Sequence, residues 1–134
     1  ESLTVGVTAD PRYSRMTVVV NGDDQVLDQI YKQLNKLVDV VDIKELKDDH
    51  SVCRELVLVK IRCSAQERQA VNSIVDIFRA KIVDVGKESM IIEMTGAQSK
   101  IDAFIQLLDG HEILELARTG ISGLSRGCDD VRFL

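Results

Sequence analysis

The side chains best suited to chemistry in this chain are two histidines and three cysteines, and they are scattered. Cys53 and Cys63 are ten residues apart, at opposite ends of one extended segment. At about 3.3 Å per residue they lie about 33 Å apart, too far to share a metal or a disulfide. With Cys128 they form no CxxC pair, which favours partly buried, reduced thiols in a cytoplasmic protein. His50 and His111 have no nucleophile at a catalytic spacing. We therefore predict no catalytic residue and no metal site.

Glycine and charge motifs point to structure rather than to catalysis. Gly22 and Gly96 precede predicted helices but belong to no GxGxxG or GxxxxGK[ST] sequence, so they indicate strand-to-helix turns. Residues 48–50, Asp-Asp-His, are more typical of a solvated connector than of a cation site. Residues 120–127 hold three glycines and Arg126, and two interpretations stay open. They form a mobile tail, or a contact segment in which Arg126 offers a bidentate fork to a carboxylate of a partner.

Length and composition are those of a soluble globular protein with one ordinary domain or two small ones. The 134 residues are 45% hydrophobic and 29% charged, with a formal net charge of −5. Nucleic-acid binding is disfavoured by the acidic balance and by the absence of aromatic residues from the predicted strands over 15–20 and 89–94. No apolar run reaches the ~20 residues that span a bilayer. Charged Glu1 leads straight into a strand pattern, which argues against a signal peptide, and the missing initiator Met hints at a longer polypeptide.

Hydrophobic periodicity predicts strand–strand–helix–strand in the first part of the sequence. Residues 2–8 and 14–20 alternate in polarity and predict strands. Asp23 is a helix N-cap, and apolar residues then recur at helical spacing over 26–38. Residues 40–46 predict a further strand.

The second part predicts the order βαββαβ. Its expected strands cover 55–63, 81–85, 90–95 and 113–118, with helices whose apolar stripes run over 71–78 and 101–108. Ser64 and Glu67 have the spacing of a capping box, and Gly110 suits a helix C-terminus.

The two parts are repeats at a constant offset of 74 residues. Seven pairs match in type: Met16 with Met90, Gly22 with Gly96, Leu27 with Ile101, Asp28 with Asp102, Ile30 with Phe104, Tyr31 with Ile105, and Leu34 with Leu108. We predict an α+β fold of two ferredoxin-like repeats, of which the first lacks its opening strand and helix. The domains are then 1–48 and 49–134. The incomplete repeat leaves part of a sheet uncovered, for a partner protein or for further residues to cover.

The residues resemble a known family over nearly the whole length of the sequence. The resemblance is carried by Glu1-Ser2-Leu3-Thr4-Val5, Ser14-Arg15-Met16-Thr17, Lys32-Gln33-Leu34, Leu37-Val38-Asp39-Val40, Leu58-Val59-Lys60-Ile61 and Gly123-Leu124-Ser125-Arg126-Gly127. Together they look like the small regulatory subunit of acetolactate synthase, also called acetohydroxyacid synthase. The first and last motifs are the most specific.

The resemblance implies an N-terminal ACT domain followed by a second ferredoxin-like domain, in a cytoplasmic or organellar homodimer. It implies a large catalytic subunit as partner, which carries thiamine diphosphate, a divalent metal (Mg) and FAD and condenses pyruvate with a second 2-keto acid. The small subunit, with no cofactor of its own, raises that activity. It also confers feedback inhibition by a branched-chain amino acid, usually valine.

The sequence departs from the family pattern where the effector pocket is expected. The opening ACT strand and its glycine loop are missing, so only a partial wall remains, which family position assigns to Leu3, Thr4, Val5 and Gly6. In the second repeat, the capping box at 64–67 occupies the equivalent junction, and we expect no ligand there.

Two rivals to the regulatory subunit follow from the same residues. One is a stand-alone ACT-type module for amino-acid sensing or dimerisation that serves another enzyme. The other is a small ferredoxin-like enzyme such as an acylphosphatase. The latter is disfavoured because the junction after the strand at 55–63 has no glycine-rich anion loop.

Overall fold

The computed structural model describes residues 2–128. The protein forms two compact units. Of the described residues, 2–53 and 121–128 belong to the first unit, and Arg54–Gly120 form the second. Each unit is described by itself below.

The second unit is the complete repeat. Its elements are β3 (Ser51–Arg62), α2 (Arg68–Ile77), β4 (Lys81–Val85), β5 (Ser89–Gly96), α3 (Gln98–Leu107) and β6 (Ile113–Ser125), where the first residues of β3 and the last of β6 belong to the first unit. The sheet has the order β4-β5-β3-β6, and β5 pairs antiparallel with both β3 and β4. This is the predicted ferredoxin-like plan, and the predicted α+β fold is confirmed.

The core of this unit lies between one face of the sheet and the two helices. Alternate residues of β3 and β5 point into it, because successive strand side chains face opposite ways. The buried residues that share it are Val57, Val59, Ile61, Cys63, Val71, Val75, Met90, Ile92, Met94, Ile101, Phe104 and Leu108. The rings of Phe78 and Phe104 pack edge to face, with their centroids 5.4 Å apart. The predicted apolar stripes of α2 and α3 are therefore the buried ones.

Local hydrogen bonds fix both ends of α2. Ser64 N–H and Oγ–H both donate to Glu67 Oε1, at 3.1 and 2.8 Å. The Glu67 side chain thus accepts from the Ser64 N–H as predicted, but the Glu67 N–H donates to Ser64 O, at 3.1 Å, instead of to the serine hydroxyl. Only half of the predicted capping box forms, and the helix begins after it, at Arg68. At the other end, Arg79 has φ 55°, and the Ala80 N–H donates to Val75 O at 2.9 Å. This is a Schellman C-cap in which an arginine occupies the left-handed position that glycine prefers.

The first unit has a small sheet and one helix. β1 (Ser2–Val7) pairs antiparallel with β2 (Ser14–Val19), and α1 (Asp24–Asn35) follows. Asp23 caps α1 as predicted, since its Oδ1 accepts from Val26 N–H at 2.9 Å. No residue of α1 is buried. Among residues 2–128, this unit therefore shows the strand–strand–helix part of the repeat.

The predicted strand over 40–46 is wrong. These residues form no regular element. In the complete repeat the equivalent strand is β6, which pairs with the opening strand β3. The first repeat has no counterpart of β3 among the described residues, so residues 40–46 have no ladder partner.

Two smaller expectations also differ from the structure. Gly110 does not cap α3 in the left-handed conformation, because the described glycines with positive φ are Gly120 and Gly127. The last strand does not end at residue 118 as expected, since β6 continues to Ser125. Of the two interpretations left open for residues 120–127, a tail that begins at Gly120 is therefore wrong, since 120–125 belong to β6.

Candidate effector and contact site

The four residues predicted to form a partial effector wall lie on β1 and face in two directions. Leu3 and Val5 point to one face, where Val5 pairs across the strands with Met16. All three side chains are more than half exposed. Thr4 and Gly6 point to the other face. The apolar and polar parts of the predicted wall therefore belong to opposite faces of the β1–β2 sheet.

The polar face of β1–β2 contacts the glycine-rich segment of β6. Thr4 Oγ1 donates to Ile121 O at 3.1 Å, and the Ile121 N–H donates to Ser2 Oγ at 3.0 Å. Arg15 Nη2 donates to Gly123 O at 3.0 Å. Three side chains of the hairpin thus hold the backbone of β6, which explains why this face is polar although half-buried.

Gly123 is where the backbone of β6 passes closest to its neighbours. A Cβ at this position would lie 2.8 Å from Leu46 Cδ1 and 2.9 Å from Cys53 Sγ. No other residue type fits without movement. The glycine of the Gly-Leu-Ser-Arg-Gly motif is therefore a packing requirement. Sequence reasoning noticed the glycines but did not assign this role.

Arg126 lies beyond the end of β6 and is exposed. Its backbone N–H donates to His50 O at 2.8 Å, which links the segment to the 3₁₀ turn at 48–50. The backbone that carries the guanidinium is thus held at a defined point of the surface. The role predicted for Arg126, a bond to a carboxylate of a partner, stays a prediction.

The strand-to-helix junction of the second unit is closed by its own side chains. Hydrogen bonds from the Ser64 hydroxyl and N–H, with His111 nearby, hold the pKa of Glu67 below its ordinary value. His111 Nδ1 lies 3.2 Å from Glu67 Oε2. Burial raises the pKa of the adjacent Cys63 thiol, which favours its neutral form. A carboxylate of the protein itself therefore stands where a ligand carboxylate would have to approach.

An ion network that includes one buried carboxylate lies in the same unit and was not predicted. Glu55 is 4% exposed, lies within β3 where the pairing with β5 begins, and accepts from Arg118 Nε of β6. Arg118 Nη1 also donates to Asp102 of α3 at 2.9 Å. One guanidinium thus joins two strands and a helix. The sequence signal that could have indicated this network is the position of Glu55, which is in register with the core-facing residues of its strand.

Residues 2–128 contain neither a metal-binding cluster nor a long apolar helix. No group of three or more His, Cys, Asp or Glu side chains in this range is placed to hold a metal ion. None of the helices between these residues has the length and apolar character needed to cross a membrane.

Comparisons with known proteins match both units. Residues 54–127 match the family described as small subunit of acetolactate synthase, and residues 1–42 match the AHAS small subunit-like ACT domain. The chain is 47% identical over 128 residues to the "Probable acetolactate synthase small subunit" of Methanothermobacter thermautotrophicus, covering 95% of this chain and 76% of that protein. The chain belongs to the acetolactate synthase small-subunit family.

Other members of the family agree. The "Acetolactate synthase isozyme 3 small subunit" of Escherichia coli is 47% identical over 128 residues, with 95% of this chain and 78% of that protein covered. The crystal structure of the acetolactate synthase small subunit from Thermotoga maritima superimposes with a TM-score of 0.87 at 43% identity. It covers 96% of this chain and 80% of that one. The family resemblance seen in the sequence is confirmed.

Proposed function

We propose that this small-subunit family member is the regulatory subunit of an acetolactate synthase. In this proposal it binds the large catalytic subunit, raises its turnover, and confers feedback inhibition by a branched-chain amino acid, with valine as the first candidate. The single observation that carries the proposal is family membership along 95% of the chain, through both repeats. Thiamine diphosphate, Mg and FAD belong to the catalytic partner in this scheme, and the site of action is the cytoplasm or an organellar stroma.

We further propose that residues 1–48 are an ACT domain without its opening strand and helix. Burial at matched repeat positions supports this. Met90 in β5 is 1% exposed and Ile92 is fully buried, whereas the equivalent Met16 and Val18 in β2 are 58% and 48% exposed. The same repeat face is therefore a core in one unit and open in the other. A strand and helix that cover Met16 and Val18 would bury this face as in the complete repeat.

Regulation in this proposal works by linkage. An effector that binds one arrangement of the small-subunit dimer better than another shifts the complex toward that arrangement. The catalytic subunit must then change effector affinity by the same factor. The partial wall at Leu3, Thr4, Val5 and Gly6 and the partner contact at Arg126 are the proposed sites. The second repeat is expected to bind no effector, because Glu67 closes its junction.

The test is reconstitution with a purified catalytic subunit, with and without valine. We expect the small subunit to raise turnover and valine to lower it. Replacing Val5 by Asn should weaken valine inhibition while activation persists. Leu58→Asn is the matched control, because Leu58 is also a partly exposed apolar strand residue, 41% exposed, but lies in β3. Unchanged turnover on mixing contradicts the regulatory role, whereas activation without valine sensitivity contradicts only the effector assignment.

Arg126 is tested by the same assay. Arg126→Ala should lower the affinity for the catalytic subunit, and Arg126→Lys should recover little of it, because a lysine cannot form the bidentate pair. Equal affinity of all three proteins would remove Arg126 from the contact.

The second candidate function is a stand-alone ACT-type module for amino-acid sensing or dimerisation. The match of residues 1–42 to an ACT domain is the observation that favours this second function. Affinity capture from the source organism separates the two. A large thiamine-dependent enzyme as partner supports the first function, and a different enzyme supports the second.

A further inference from the structure

The loop between β2 and α1 contains the dipeptide Asn21-Gly22. Both residues are exposed and lie outside regular structure. Within residues 2–128 the Gly22 N–H has no hydrogen-bond acceptor. The other two asparagines differ in this respect. Lys36 N–H, which follows Asn35, donates to Gln33 O at 3.3 Å, and Asn72 lies inside α2, where the next N–H belongs to the helix ladder.

The fold requires glycine after Asn21. A Cβ on Gly22 would lie 2.8 Å from Val26 Cβ and 2.8 Å from Val26 Cγ1, in the first turn of α1. Val26 is also the residue whose N–H is capped by Asp23. A side chain at position 22 would hinder attack by its backbone nitrogen on the preceding asparagine. The packing that excludes such a side chain therefore leaves this nitrogen accessible.

We propose that Asn21 is a site of spontaneous deamidation that alters the start of α1. The Gly22 backbone nitrogen, after loss of its proton to water or hydroxide, attacks Asn21 Cγ. A new bond forms between these two atoms, the bond from Cγ to the amide nitrogen Nδ2 breaks, and ammonia leaves, which gives a succinimide. Water then opens either carbonyl of the ring and yields aspartate or isoaspartate. The sum is asparagine plus water giving the acid plus ammonia, with no oxidation or reduction.

The two products act differently on α1. Aspartate adds one negative charge beside Asp23 and Asp24 but keeps the backbone path. Isoaspartate routes the backbone through the former side chain and inserts a methylene two residues before the cap. The Asp23–Val26 cap and the Leu27 N–H to Asp23 O bond at 3.1 Å both depend on that path. The isoaspartyl form is therefore the one that loosens the first turn of α1.

The test is ageing of the purified protein at neutral to mildly alkaline pH, followed by peptide mapping with mass spectrometry. We expect the mass gain of an NH₂-to-OH exchange at Asn21, with an isoaspartyl product, while Asn35 and Asn72 stay intact. Asn21→Gln should abolish the gain at this position. A protein that keeps all three asparagines, or that converts Asn35 or Asn72 as fast as Asn21, overturns the proposal.

Hydrogen exchange tests the consequence for the helix. The aged protein should lose protection at the first amides of α1, near Val26 and Leu27, whereas Asn21→Asp should keep it because its backbone is unaltered. Loss of protection in Asn21→Asp as well would assign the effect to charge and overturn the role of the isoaspartyl linkage. Full protection in the aged protein would overturn it too.

Discussion

Replacing Gly123 by Ala tests whether the glycine-rich end of β6 is a packed segment. The new methyl would lie 2.8 Å from Leu46 Cδ1 and 2.9 Å from Cys53 Sγ. Carbon atoms in ordinary contact stay about 3.5 Å apart or more. Each contact is therefore too close by several tenths of an ångström. Leu46 can turn its terminal methyl aside, but the shorter Cys53 side chain has less freedom, so the strand backbone must shift.

The expected cost follows from two opposed terms. Overpacking of this kind costs roughly 1–3 kcal/mol. Gly123 does not have a positive φ, so alanine is compatible with its backbone and limits the unfolded chain, a gain of about 0.4–1 kcal/mol. We expect a net loss of about 1–2 kcal/mol in the free energy of unfolding. Gly6→Ala is the matched control: it also lies on a strand of the first unit, with nothing within 4 Å of its added Cβ, and should be neutral or slightly stabilising.

The assay is urea unfolding followed by far-ultraviolet circular dichroism, because the protein has no tryptophan. Thiol labelling adds a local readout, since a displaced β6 should make Cys53 react faster. Leu46→Ala should offset part of the cost of Gly123→Ala by removing the nearest atom, which a double-mutant cycle measures. Equal stability of Gly123→Ala and Gly6→Ala, with unchanged Cys53 labelling, would refute the packing role of Gly123.

Three further predictions concern the second unit. Glu55→Ala removes the buried carboxylate from Arg118, which keeps its bond to Asp102, and should cost about 1.5–3 kcal/mol in urea unfolding. Truncating Glu115, whose exposed side chain pairs with Lys60, should cost about 0–1 kcal/mol in the same assay. Arg79→Gly should stabilise by about 1 kcal/mol relative to Arg79→Ala, since φ is positive there; equal values would contradict the strain. Because the folded-state pKa of Glu67 is lowered, its contribution is present above the unfolded pKa of about 4.3 and is lost as pH falls through the folded value. Glu67→Gln should flatten that part of the acid-stability curve, and an identical curve would contradict it.

Sequence periodicity predicted most elements because most have a burial partner within the protein. The alternation in β3 and β5 and the stripe of α3 all point into one core, and the pattern therefore reports the fold directly. It failed for residues 40–46, which alternate in polarity only over 41–44. Pairing needs a second strand, and the pattern of one segment cannot show whether its partner is present.

Predictions about individual site residues depended on facts that spacing does not carry. The Gly-Leu-Ser-Arg-Gly motif was recognisable, but the need for Gly123 arises from Leu46 and Cys53, which are distant in sequence. The ion network could not be predicted for the same reason, since Glu55 and Arg118 are separated by 63 residues. Local signals such as the Asp23 cap were predicted correctly because all their atoms lie within one turn.

The exposed apolar face of the β1–β2 hairpin also affects the tendency of this protein to aggregate in solution. Leu3, Val5, Val7, Met16 and Val18 form a contiguous water-facing patch without a charged residue among them. Sulfate and phosphate salts strengthen the hydrophobic effect, so they should promote aggregation through this patch. The formal charge of −5 opposes it at neutral pH, and this colloidal protection weakens on acidification as carboxylates gain protons. Dilute, low-salt, neutral buffers are therefore the conditions in which its binding properties are best measured.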